Sequence, residues 1–88
     1  MYIVYILQSK KESARLYKGF TTNLKDRLER HNLGNVYHTA KYKPWKLIFY
    51  ACFQTKKKAL DFENYLKTGS GTAFMRKRLI ETNKNLYL

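Results

Sequence analysis

The stretch that most narrows what this chain can become is its first nineteen residues. Tyr2-Ile3-Val4-Tyr5-Ile6-Leu7-Gln8 is dense in β-branched and aromatic residues and predicts a strand. Ser9 to Ala14 is polar and charged, and suits a hairpin loop. Arg15 to Gly19 then reads as a short second strand, closed by a glycine that frees the backbone to turn. Each strand carries a tyrosine, Tyr5 and Tyr17. A hairpin placed this early needs a third layer to cover it, because a lone two-stranded ribbon has no independent core.

The rest of the chain supplies that cover. Asn23 is a good helix N-cap, and Asp26 stands where a weak capping box would reach back to it. The helix runs to about Asn32 and stops near Gly34. Residues 34–46 read as a loop. Leu47 to Phe53 is a third strand, and its continuous apolar run predicts burial on both faces. Thr55 caps a helix over about Lys56 to Lys67. Gly69-Ser70-Gly71 breaks the chain, and Ser70 caps a last helix to about Thr82. The order is ββαβαα, an α+β chain in which a small three-stranded sheet is flanked by helices. No repeat or linker divides the 88 residues, so one domain with one small core is expected over 1–88.

Charge decides the class of partner. The chain carries 18 Lys+Arg against 6 Asp+Glu, a formal +12. Such a field favours a polyanion, with nucleic acid first and an anionic membrane surface second. No apolar run approaches the roughly 20 residues of a membrane span, and no basic amphipathic terminus stands out. The apolar start is short and lacks the charged opening of a secretory signal, which makes a cytoplasmic protein the default. A composition 44% hydrophobic and 16% aromatic argues against global disorder. The single cysteine, Cys52, excludes an intrachain disulfide and a cysteine-rich zinc site; its apolar surroundings predict a buried core thiol.

Five residues could carry chemistry: Tyr5, Tyr17, Arg27, His31 and Glu63. Asn23, Arg27 and His31 recur at i, i+4 and i+8 and form one stripe beside the apolar stripe of Leu24 and Leu28. A guanidinium at that edge can hold a phosphate bidentately, or belong to a solvated basic helix. His31 can donate to a phosphate, relay a proton, or be structural. On the later helix Ala59, Phe62 and Leu66 mark the buried stripe, and Glu63 falls inside it. A carboxylate there needs a cation. Either a lysine or arginine supplies it, or one Mg²⁺ or Mn²⁺ does, which takes one or two carboxylates and keeps several waters. Tyr17 ends a strand beside Gly19, where a phosphate could approach. A free phenol titrates near pH 10, so use as a base requires stabilising the phenolate; Arg27, His31, a metal and the positive field push that way.

Further contacts to nucleic acid are expected from Thr39 to Lys46, where Lys41, Lys43 and Trp45 interleave cations with aromatics. Trp45 serves equally well as a core anchor. Gly69-Ser70-Gly71 opens a basic helix and could offer backbone N–H groups to a phosphate at Ser70, or be a plain helix stop and restart. It lacks the Gly-Lys-Ser/Thr of a P-loop, so no nucleotide cofactor is expected.

In this ordered series the chain resembles the GIY-YIG nuclease superfamily, in its small stand-alone form, over about residues 2–79. Ile3-Val4-Tyr5 stands at the first motif and Tyr17-Lys18-Gly19 at the second. Gly19-Phe20-Thr21-Thr22-Asn23-Leu24, Arg27, His31-Asn32, Thr39, Pro44-Trp45, Phe53, Ala59 and Phe62-Glu63-x-x-Leu66-Lys67 follow in order. The resemblance implies an antiparallel sheet and hydrolysis of DNA phosphodiesters with one divalent metal. Carried onto this sequence, Tyr17 activates water and Tyr5 supports it. Arg27 stabilises charge on phosphorus, His31 assists by phosphate contact or proton transfer, and Glu63 binds Mg²⁺ or Mn²⁺. Lys18, Asn23, Lys41, Lys43, Trp45, Lys67 and Ser70 are the expected nucleic-acid contacts. Two departures bear on this. Ile3 replaces the first motif's glycine, and Lys18, with Phe20 beyond it, alters the second. The alternative is a basic nucleic-acid-binding module with little or no turnover, and RNA stands beside DNA as a partner.

Overall fold

The computed structural model describes residues 1–81. Its strands are β1 (Tyr2–Ser9), β2 (Leu16–Thr21) and β3 (Trp45–Phe53), and its helices α1 (Leu24–Leu33), α2 (Lys56–Leu66) and α3 (Gly69–Arg78). The chain order is ββαβαα, with a short 3-10 turn at Ala40–Tyr42 inside the connection from α1 to β3. All pairings are antiparallel and the spatial order is β2-β1-β3. The first strand is thus the central one. The hairpin places Tyr5 opposite Gly19 and Leu7 opposite Tyr17.

Alternation along β1 divides the core in two. Val4 and Ile6 face Ala59 and Leu66 of α2 and Met75 of α3. Tyr5 and Leu7 face the other way, with Trp45, Leu24, Leu28, Tyr17 and Tyr42 around them. The sheet therefore sits between α2 and α3 on one face and α1 with its following loop on the other. No helix of the described residues is long and apolar enough to cross a membrane.

Caps set the helix limits. Asn23 accepts from the Asp26 N–H at 3.1 Å and starts α1; Gly34, in the left-handed region at φ 82°, ends it. The Asp26 carboxylate lies 3.2 Å from Arg30 rather than closing a capping box. Thr55 caps α2 as expected.

Three expectations give way here. Thr68, not Ser70, caps α3, accepting from the Gly71 N–H at 3.0 Å. Gly69-Ser70-Gly71 is the first turn of that helix. Gly71 lets α3 fold tightly onto α2: a Cβ there would lie 1.7 Å from the Tyr65 carbonyl oxygen. The expected end of the helix at Thr82 lies outside the described residues. Next, β3 is an edge strand whose residues alternate in exposure, not a strand buried on both faces. Its apolar run fills two thin half-cores, with a register shift beside Ile6/Leu7. Last, Cys52 is exposed, opposite Ile3 on the face that α1 covers only partly.

Candidate active site

The hairpin register builds the centre of the site. Gly19 lies opposite Tyr5, and the Tyr5 ring leans across it: a Cβ on Gly19 would meet the Tyr5 ring and hydroxyl at 2.5 Å and the Tyr17 ring at 2.9 Å. The glycine of the second motif is thus the floor on which both tyrosines rest. Their ring centroids are 6.2 Å apart. His31, one turn beyond Arg27 on α1, stands against both, 5.8 Å from Tyr5 and 4.9 Å from Tyr17 by ring centroids.

A relay of hydrogen bonds holds this cluster. The Thr39 hydroxyl donates to the Val36 carbonyl oxygen at 3.3 Å. That leaves its oxygen to accept from His31 Nδ1–H at 2.8 Å. His31 Nε2 is then unprotonated and accepts the Tyr5 O–H at 2.9 Å. Every proton in the relay points away from Tyr5, and every member has a partner, so no described polar atom is left orphaned in the core.

Electrostatics agree with that assignment. Burial, and secondarily the Arg27 charge, push His31 down to about 4, so the imidazole is neutral near pH 7. Burial and the neighbouring Tyr17 push Tyr5 up to about 12, so it keeps its proton; Arg27 opposes the rise and Glu63 adds to it. Arg27, and more weakly Glu63, thus act electrostatically on that hydroxyl. Arg27 comes from α1, on the tyrosine face, whereas Glu63 comes from α2, across the sheet. Lys18 links the hairpin to the α2 side. It pairs with Ile6 in register and points to the α2 side, where its ammonium donates to the Leu66 carbonyl oxygen at 2.9 Å. This ties the last turn of α2 to the edge strand β2, and Glu63 lies one turn back, at the rim.

Glu63 keeps 15% of its side-chain area in solvent, and the Lys67 ammonium lies 3.1 Å from its Oε2. Both sequence-level partners of this carboxylate thus stay in play: a lysine holds it, and the lysine is itself half exposed. No group of three or more His, Cys, Asp or Glu gathers among the described residues. Glu63 is the one carboxylate at the cluster. A single hard oxygen ligand with solvent access suits one Mg²⁺ or Mn²⁺ that draws its other ligands from water and a phosphate.

The remaining expected contacts divide. Asn23, Lys41, Lys43, Lys67 and Ser70 are exposed. Trp45 is not a base-stacking surface: it is 4% exposed, its indole N–H donates to the Thr39 carbonyl oxygen at 2.9 Å, and the Asn32 side-chain amide bonds both its backbone groups. Lys18 is not a free phosphate contact, because its ammonium caps α2; burial, with Arg76 and Lys67 nearby, pushes its pKa down. His31 cannot touch a phosphate directly, since it is fully buried with both ring nitrogens bonded. It also adds no charge toward a phenolate. Thr39 was visible in the sequence only as one position of an ordered series. Nothing in its neighbours marks it as the residue that sets the histidine tautomer; a buried threonine eight positions after a histidine carries no periodic signal.

Comparison with known proteins matches the sequence to a family. The GIY-YIG catalytic domain matches residues 1–78. A UPF0213 protein of Clostridium perfringens is 41% identical over 68 residues, covering 76% of this chain and 71% of the relative. A UPF0213 protein of Haloquadratum walsbyi is 36% identical over 66 residues, 74% of this chain and 72% of the relative. A structure-specific endonuclease subunit SLX1 homolog of Giardia intestinalis is 37% identical over 62 residues, 66% of this chain but 17% of that longer protein. With that domain matching nearly all of the described residues, the chain belongs to the GIY-YIG catalytic-domain family.

Proposed function

We propose that this protein is a metal-dependent endonuclease that hydrolyses DNA phosphodiester bonds with one divalent ion and a tyrosine base. The observation that supports the reading is the meeting of Tyr5, Tyr17 and His31 in one cluster seated on Gly19, with the Arg27 side chain hydrogen-bonded to its central hydroxyl.

The geometry supports the following roles. Tyr17 is the more open of the two phenols, and once ionised, with its own proton lost to solvent, its phenolate would take the proton from the attacking water. Tyr5 holds its own proton on His31, so toward Arg27 and the attacking water its oxygen acts as an acceptor. Arg27 neutralises charge on the non-bridging oxygens as the water oxygen bonds to phosphorus and the bond to the 3′ oxygen breaks. His31 and Thr39 position Tyr5 and touch no substrate. Glu63 would hold Mg²⁺ or Mn²⁺, which supplies Lewis-acid stabilisation of the departing oxygen. Lys67, whose side chain is half exposed, must leave Glu63 for that.

The test is nicking of plasmid DNA with Mg²⁺ or Mn²⁺, against the same reaction in EDTA. Cleavage should appear only with metal. The second reading, a basic binding module without turnover, is favoured by one observation: Lys67 already occupies the sole carboxylate of the cluster. Tight, salt-sensitive DNA binding without nicking under any metal would establish that reading instead.

A further inference from the structure

The interleaving of cations and aromatics that nucleic acid requires is absent at Trp45, which is buried, but it occurs elsewhere. On the outer side of the α2–α3 corner Tyr65 and Phe74 are 40% and 38% exposed. Their ring centroids are 5.9 Å apart at 57°. They face solvent as a pair, while Phe62, Leu66 and Met75 on the same helices turn to the core. Phe74 shares a stripe with Ser70, Lys77 and Arg78 at i−4, i+3 and i+4. Tyr65 shares one with Lys58 and Asp61, and Lys57 offsets Asp61 at 2.9 Å. All of these charged residues are exposed. The corner itself is fixed: Thr68 Oγ1 donates to the Tyr65 carbonyl oxygen at 2.7 Å, and Gly71 lies so close to that carbonyl that no other residue fits.

We propose that this stripe, from Lys58 across Tyr65 and Phe74 to Lys77 and Arg78, binds single-stranded DNA by base stacking between backbone contacts. The proposal rests on the endonuclease reading for its biological sense, but its chemistry is independent of turnover. Charge complementarity selects the occupant. The stripe is cationic apart from one neutralised carboxylate, so an apolar protein partner or a second +12 copy of this chain is disfavoured there. Two rings on a rigid corner lose little entropy on meeting a base, and every base has a face to offer. Duplex DNA, whose bases are already stacked, gains only the cations. The stripe thus points to substrates with an unpaired segment, such as flaps, gaps or branches, with the strand lying across the outer side of the helices.

The test uses the full chain in EDTA, so that no cleavage occurs, and measures anisotropy of a short labelled oligo-dT and of a duplex across a salt series. Tyr65→Ala with Phe74→Ala should weaken oligo-dT binding by roughly five- to a hundredfold, leave duplex binding unchanged, and leave the salt slope intact. Lys77→Met with Arg78→Met should instead lower the slope of the oligo-dT series by about 1.4. Tyr65→Trp should retain binding, which separates stacking from misfolding. Unchanged oligo-dT affinity in the double alanine variant overturns the proposal. So does equal weakening on duplex, and so does concentration-dependent dimerisation in sedimentation that the alanines abolish. Absence of nicking in the metal assay counts against the endonuclease reading and leaves these binding results standing.

Discussion

His31 shows how one buried side chain links stability and function. Its proton sits on Nδ1 because Thr39 already donates elsewhere, and Nε2 therefore receives Tyr5. Its folded pKa of about 4 lies below the 6.5 of the free side chain. Protonation therefore favours the unfolded chain. The stabilisation is fully present above pH 6.5 and drains away as the pH falls toward 4. Urea unfolding should show about 2 kcal/mol lost between pH 7.5 and 5, and His31→Gln should flatten that dependence; a wild type equally stable at both values contradicts the buried neutral imidazole. For the same reason the cleavage rate should show no limb near pH 6.5. Gly19 is the second decisive residue. Gly19→Ala would drive a methyl group into the Tyr5 ring and hydroxyl and the Tyr17 ring. Cleavage should fall at least a hundredfold, with the far-ultraviolet circular dichroism of the sheet and helices kept. The tyrosines, arginine and glutamate were legible in the sequence from motif order and helical spacing. Thr39 was not, because a second hydrogen-bond partner of a histidine is fixed by how the loop folds back, not by spacing.

Helices and strands came through the sequence with their order intact because most begin on a local signal: the β-branched and aromatic run of β1, Asn23 before α1, Thr55 before α2. The errors arose where local chemistry was ambiguous and packing decided. A continuous apolar run from Leu47 to Phe53 suits a central strand, yet β1 takes the centre because the hairpin and β3 both pair with it. The apolar residues of β3 then serve two half-cores on opposite faces, and Cys52 is left outside. Thr68 and Ser70 are both good caps, and the closeness of Gly71 to the Tyr65 carbonyl selects Thr68. The glycines that looked like a break therefore differ in kind. Gly69 has nothing within 4 Å of a built Cβ, so Gly69→Ala should stabilise by about 0.4–1 kcal/mol through the unfolded chain. Gly71→Ala should destabilise by more than that, because the corner must open. Thermal melts of the two variants should move in opposite directions; a matching shift would mean that the α2–α3 corner is looser than described.

At the scale of the molecule, the sheet acts as a partition. The phenols, Arg27 and the relay lie on one face, Glu63 belongs to α2 on the other, and Lys18 ties α2 to the edge strand β2. Each layer alone carries an incomplete site. The +12 charge supplies the approach of a polyanion to that rim, and its strength should fall steeply with salt. The chemistry, though, rests on the two layers meeting. Single-turnover cleavage of labelled DNA in Mn²⁺, with binding measured in parallel, tests this most directly in Tyr17→Phe and Glu63→Ala. The account predicts that each variant binds DNA within a few-fold of wild type and that both lose cleavage by at least a hundredfold. Metal-dependent cleavage surviving at near wild-type rate in either variant contradicts it.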